Sequence, residues 1–414
     1  MLRIASISDS KNLQLEYEEI KSKTTDPEQI WREELEEIEV LCIHNDAENR
    51  VSGITLLVDY HRFMSCFKNF KNCKINFTEY VHKVLPMFEN ALLDTNEDVR
   101  SAAVKGLKLG IETFGEDYPD LLFKELLRGY KHGNYWIRYH TIVLISTLLH
   151  VLGGNIHKIK EDKEKEQEGI ITCYEEVISC IYILSFDQIE RVSFTASSAW
   201  QIFVEKRQGR HLCAPFNDSE AALSVLIAEM ISVISSEYQE VTRTGNRTLN
   251  SLMGKIFNKL MDQSLDVVRK AFTEENFDKA IKKFNYFLSV VEACDDNIVK
   301  YQPQIEALIG KMMIHDNIEV KEMSSEVFKA LKKTISNDDF VKDFIKAYFC
   351  STENSDGPEL LEKKVTFLEA LIADPFLQVC PILTNLCLNP KETDSSLFLN
   401  RAKLLRLVSF SIYK

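Results

Sequence analysis

From Val99-Arg100 to Ile137-Arg138 is 38 residues, and the same order of residue types leads into both. Ahead of the first lies an apolar-periodic stretch, Val84 to Leu93. Pro86 is placed there for the first turn of a helix, where a missing N–H costs little. Asp94-Thr95-Asn96 breaks that helix, and Asp98-Val99-Arg100 opens another with Ala103, Val104, Leu107 and Ile111 on one face. Ahead of the second, Pro119 precedes Leu121, Leu122, Leu126 and Leu127, and Lys131-His132-Gly133-Asn134 supplies the turn. Trp136-Ile137-Arg138 then opens a helix running through Ile142, Leu144, Ile145, Leu148, Leu149 and Leu152 to Gly153-Gly154. One helix pair of this size cannot bury its apolar face alone, so such units must stack on one another.

Weaker copies flank the two strong ones. Trp31 to Met64 turns at Asn45-Asp46, with Arg50-Val51 opening the second helix. Ile170 to Val204 turns at Phe186-Asp187, and Ala221 to Leu260 at Ser235-Ser236. Gln304 to Ile335 turns at Asp316-Asn317, with Val320-Lys321 where Val-Arg stood before. Phe277 to Val291, Phe340 to Phe349, Glu359 to Ile372 and Arg401 to Ile412 read as helices without an assigned partner. The period is that of a HEAT-type array, about eight to ten repeats long. The expected fold is all-α, an α-solenoid built as a superhelix of antiparallel helix pairs. Composition agrees: 14 glycines and 9 prolines in 414 residues are too few for the turns of a sheet-rich protein.

Two stretches interrupt the array. Residues 155–169 contain the charged run HKIKEDKEKEQE and read as an inter-repeat loop, and residues 351–357 (STENSDG) as a linker. The expected organisation is therefore repeats over 1–154, the loop, and further repeats over 170–414.

A search for chemistry returns little. Gly254-Lys255 lacks the upstream glycine and following Ser/Thr of a phosphate-cradling loop. No G-x-S-x-G, H-E-x-x-H or C-x-x-C occurs. The ten cysteines sit mostly among apolar residues, as core thiols of a reducing compartment do. His61, Cys66 and Cys73 lie close in sequence, but a metal site needs a fourth ligand. The N-terminus has no apolar h-region, and Ile142 to Leu152 is too short for a bilayer. The expectation is a cytosolic or nuclear, non-enzymatic protein without cofactor, metal, membrane span or small-molecule substrate.

Charge points to surfaces instead. With 50 basic and 63 acidic residues the net charge is −13, which excludes a uniformly nucleic-acid-binding surface but leaves room for local basic patches. Two patches interleave bases with aromatics or end a helix: Lys68, Lys71 and Lys74 around Phe67 and Phe70, and Lys206, Arg207 and Arg210 beside His211. Either could touch a partner or RNA phosphates. The recurring turn and helix-start residues Asp94, Arg100, Asn134 and Arg138 form an expected stacking ladder, each exposed pair contributing about 0–1 kcal/mol and setting register.

The segment Leu121 to Gly154 resembles one repeat of the ribosome-associated general-control translational activator family. There a leucine-rich helix ends in a turn, an aromatic and Arg-Ile-Arg follow, and a second leucine-rich helix ends in Gly. Gly129, Asn134, Tyr135, Ile137 and Arg138 match; His132 and Gly133 replace acids, and Trp136 replaces the first arginine. Ser101-Ala102-Ala103, Trp200 and Asn246-Arg247-Thr248-Leu249 resemble neighbouring repeats, while Ser193 stands in place of an arginine. The resemblance covers about residues 80–260. It implies a scaffold that binds ribosomes through protein and rRNA contacts. It further implies help in activating the RWD-domain kinase of initiation factor 2 alpha. The alternative is a nuclear transport receptor or a phosphatase or proteasome adaptor built on the same repeat.

Overall fold

The computed structural model describes residues 27–67, 77–153, 173–205, 214–335 and 339–349, with scattered positions between 364 and 383. No strand occurs among the described residues. The chain forms two units, each a row of stacked antiparallel helix pairs, the HEAT-type α-solenoid arrangement. One comprises Met1–Ala214 with Tyr238–Val241, the other Pro215–Glu237 with Thr242–Lys414.

Among its described residues unit 1 holds four pairs. These are α1 (Pro27–Cys42) with α2 (Ala47–Phe67), α3 (Phe77–Leu92) with α4 (Glu97–Phe114), α5 (Pro119–Leu126) with α6 (Tyr135–Val151), and α7 (Tyr174–Leu184) with α8 (Glu190–Trp200). The second helices α2, α4, α6 and α8 lie side by side. Local chemistry sets the turns. The Asn96 side chain accepts from the N–H groups of Asp98 (2.8 Å) and Val99 (3.2 Å), and Asn134 caps α6 through Trp136 N–H (2.9 Å). Each satisfies donors that a helix start leaves bare. Gly153, at φ +58, ends α6 in the left-handed conformation that glycine adopts without penalty.

Apolar faces close the pairs. Leu122, Phe123 and Leu126 of α5 and Ile142, Ile145 and Leu148 of α6 are buried, each such side chain contributing about 1.5–3 kcal/mol. Between the first two repeats His61, Tyr80, Phe88 and Phe114 form a closed aromatic cluster. Gly106 admits Phe88 to the surface of α4: a Cβ there would stand 2.2 Å from the ring.

The position of Pro86 departs from the sequence expectation. It lies inside α3, not in its first turn, because the helix begins at Phe77. The Pro86 ring has no N–H for the carbonyl of His82, and His82 is exposed.

Unit 2 contains α9 (Glu220–Ile234), α10 (Gln239–Ala271, whose first three residues count with unit 1), α11 (Phe277–Glu292), α12 (Gln302–Met313), α13 (Ile318–Thr334) and α14 (Phe340–Phe349). A short helical turn, Ala214–Asp218, precedes them. The sequence pattern closes one repeat at Leu260, but α10 is 33 residues long in all, runs on to Ala271 and bends at Ile256 (φ −132, ψ 34). A single non-helical residue thus replaces an inter-repeat loop. The half after the bend is the partner that α11 lacked in the sequence reading: Ser264 Oγ meets the Tyr286 hydroxyl at 3.0 Å, and Phe272 packs edge-on to Phe284. Phe328, Phe340, Phe344 and Phe367 cluster beyond them.

Candidate interaction surface

Lys68, Lys71, Lys74, Lys206, Arg207 and Arg210 lie outside the described residues, as do the 155–169 loop and the 351–357 linker. The ladder residues are all described, on the edge of unit 1 formed by the intra-repeat turns.

One layout recurs at those turns. The first turn residue is Asp or His, and its side chain accepts the N–H two residues on. His44 takes that of Asp46 (3.0 Å), Asp94 that of Asn96 (2.8 Å), His132 that of Asn134 (3.0 Å) and Asp187 that of Ile189 (2.9 Å). In unit 2 His315 does the same for Asn317 (3.1 Å). Six residues after that position stands Arg50, Arg100 or Arg138 in the first three repeats. Each arginine donates through Nη1 to two carbonyls of its own turn: Arg50 to His44 and Asn45, Arg100 to Asp94 and Thr95, Arg138 to His132 and Gly133.

The free edge of the guanidinium then reaches the next repeat. Arg50 grips Asp94 through Nε (2.6 Å) and Nη2 (3.0 Å). This holds the Asp94 carboxyl below the usual range, chiefly through the Arg50 hydrogen bond. Arg138 grips Asp187 the same way (2.7 and 3.2 Å), and its remaining N–H reaches Glu240 at 3.4 Å. Arg138 and Asp187 are essentially fully buried. Two-point contact with a carboxylate fixes angle as well as distance, so these pairs set how one repeat sits on the next.

Arg100 has no such acid. The residue at the equivalent position of the next turn is His132, whose pKa is lowered first by burial and then by Arg138. The Arg100 guanidinium instead stands 5.2 Å from the Trp136 ring, and its buried Nε has no partner. Trp136 packs in turn, tilted, against His140, whose pKa burial drives down to about 4. Asn134 belongs to the cap, not to the contact between repeats.

Asp94 pairs backwards with Arg50, and Asp187 completes the Arg138 rung. The expected ladder named neither Arg50 nor Asp187. The signal that finds both is the six-residue interval from turn residue to arginine, which also places Ser193 where the next arginine would be. The Ser193 hydroxyl turns back to the Glu190 carbonyl of its own helix.

Trp200 is buried against Tyr182. His61 is buried, meets the Tyr80 hydroxyl through Nδ1 at 2.9 Å and is driven by burial to about 4. Burial lifts the Cys42 and Cys294 thiols to about 12, far above the range of a reactive thiolate. No group of three or more His, Cys, Asp or Glu among the described residues is placed to hold a metal ion. No helix among them is long and apolar enough to cross a membrane. What the edge does present is exposed apolar side chains at the turns, Ile43, Leu93, Tyr135 and Tyr238.

No family model matches the chain. The human stalled ribosome sensor GCN1 is 21% identical over 276 residues, which is 63% of this chain and 10% of the human protein. The eIF-2-alpha kinase activator GCN1 of Saccharomyces cerevisiae is 20% identical over 295 residues, 68% of this chain and 11% of the yeast protein. The chain thus spans about a tenth of the length of these curated relatives. Among solved structures, Kap121p covers 92% of this chain with 38% of its own length, at 13% identity and a TM-score of 0.35. Kap95p in complex with RanGDP covers 91% with 45% of its own, at 14% and 0.31. In sequence, over about two thirds of its length, this HEAT-type chain resembles the GCN1 proteins.

Proposed function

We propose that the chain is a non-enzymatic scaffold of the GCN1 kind. It acts in the cytoplasm in stress-dependent translation control, binds ribosomes and helps an RWD-domain kinase act on initiation factor 2 alpha. The observation that carries this reading is the similarity to a stalled ribosome sensor and to eIF-2-alpha kinase activators over 63–68% of the chain. The physics of the fold supports it. Stacked repeats held in register present a long surface on which many modest contacts add up, with no need for a deep pocket.

The test is co-sedimentation of the full chain with polysomes, at low salt and after a salt wash. Recovery in polysome fractions, reduced by salt where phosphate contacts matter, is the expected result. A chain that stays in the soluble fraction at low salt overturns the ribosome reading. Affinity purification yielding transport GTPases or phosphatase subunits without ribosomal proteins overturns it in favour of a transport or adaptor role.

A further inference from the structure

The bend in α10 opens a cleft of about 540 Å³ that lies wholly in unit 2. Lys255 and Lys259 line it from either side of Ile256, and Lys300 faces them from the 3-10 turn Asp296–Tyr301. Several lysines elsewhere in this acidic chain pair with acids: Lys124 with Asp120, Lys283 with Glu274, Lys329 with Glu326. Those around the cleft do not. Lys259 donates to the Asn217 carbonyl and Lys300 to the Asn258 side-chain oxygen, both neutral acceptors. Lys300 also lies 5.4 Å from the Phe257 ring. Among the described residues, Lys255 makes no contact of this kind. One acid, Asp295, is among the lining residues, its Oδ1 accepting from the N–H and side-chain amide of Asn297, and Asp262 lies beside the Tyr301 hydroxyl. Gly254 leaves the wall open, with no atom within 4 Å of where a Cβ would stand.

Three ammonium groups outside any ion pair, side-chain amides that both donate and accept, and a half-buried aromatic ring are the parts a single-strand binding groove needs: cations for the backbone, a ring face for a base. We propose that this cleft binds single-stranded RNA, with Lys255, Lys259 and Lys300 on successive phosphates and Phe257 against a base. An isolated phosphoryl group on a peptide would occupy only part of the cleft and leave the ring and amides unused. RNA is therefore the ligand the site fits. The proposal stands apart from ribosome binding, because an oligonucleotide is tested without ribosomes.

The experiment is fluorescence anisotropy of the full chain with a labelled twelve-nucleotide uridine tract, from 50 to 200 mM KCl. Three neutralised phosphates give a slope of log affinity against log salt of about −2. K255Q/K259Q is expected to weaken binding at least tenfold and bring the slope to about −0.7. K255Q alone, which disturbs no intramolecular contact, is expected to weaken it about threefold and guards against misfolding of the double variant. No binding at 50 mM KCl overturns the proposal. So does unchanged affinity in the double variant, which would place RNA elsewhere, and so does tight binding of a phosphoserine peptide in place of RNA. Polysome co-sedimentation of the variant separates the two readings. A variant that loses the oligonucleotide but still sediments leaves both standing. A wild-type chain that binds the oligonucleotide but never sediments sinks only the ribosome reading.

Discussion

Arg100 and Arg138 occupy the same position in consecutive repeats of unit 1, and their surroundings differ in one respect. Both donate to two carbonyls of their own turn. Arg138 then finds Asp187 and Glu240, so five N–H donors meet five acceptors in a fully buried setting. For Arg100 the equivalent position in the next repeat holds His132, a ring already engaged by Asn134 N–H, and the arginine leans on Trp136 with a buried Nε unmatched. A buried guanidinium needs acceptors for every donor, or desolvation outweighs attraction. A half-exposed one over an aromatic face needs less and fixes less, because cation–π attraction tolerates sliding where a two-point carboxylate does not. One solenoid thus contains a stiff step, from the third repeat to the fourth, and a looser step, from the second to the third.

The largest expected effect comes from breaking the stiff step. Asp187→Ala leaves a buried cation without its main partner and should cost about 3–5 kcal/mol. The readout is faster hydrogen exchange in α6 and a lower urea midpoint; a loss under about 1 kcal/mol would mean that Glu240 and the carbonyls suffice. Next comes acid. His61 sits between the first two repeats with its pKa lowered to about 4, so the unfolded chain binds its proton first as pH falls. Stability should be full above pH 6.5 and decline by about 3 kcal/mol on the way to pH 4. His61→Leu should flatten that stretch of a pH series of urea midpoints. The Asp94 carboxyl, shifted downward, keeps the neighbouring Arg50 contact intact through this window and releases it only at lower pH.

Asp94→Ala should cost about 1–2 kcal/mol, less than Asp187→Ala, because the Arg50–Asp94 pair is partly open to water. Equal losses in the two variants, measured by the same urea titration, would contradict the ranking of the steps by burial. The smallest effect should come from repairing the loose step. His132→Asp keeps the acceptor for Asn134 N–H and offers Arg100 a carboxylate, for a gain of about 0.5–1 kcal/mol. Slower exchange in α4 and α6 is the measurement. No change would show that Trp136 packing, not the missing acid, sets the geometry there.

The fold was largely legible because its signals are local. Asn96 and Asn134 cap helices within three residues, and each arginine meets carbonyls five and six residues back. Such contacts lie within one repeat and recur with its period. Two features were not legible for the opposite reason. Pro86 reads as a helix start, yet α3 begins nine residues earlier, and Tyr80 and Val81 are buried ahead of the proline and override its weak signal. Near Ile256 the sequence offers only Gly254, an isolated glycine with no proline beside it, so the stretch reads as one helix that ends near Leu260. The bend follows from packing the second half of the helix against α11 through Ser264 and Tyr286.

Composition and a 38-residue period in the chain were enough for stacked helix pairs, the turn positions and the arginines that head the second helices. Which acid each arginine holds was settled only in three dimensions. Arg50 and Asp94 are 44 residues apart and Arg138 and Asp187 are 49, so the pairing depends on how repeats stack and on loop lengths between them. The same holds for the cleft at Ile256, where Lys255 and Lys259 meet Lys300 only because a bent helix brings distant stretches of chain together. Short-range hydrogen bonds are specified residue by residue, whereas side chains from separate repeats converge only once burial of the apolar faces has fixed the stacking.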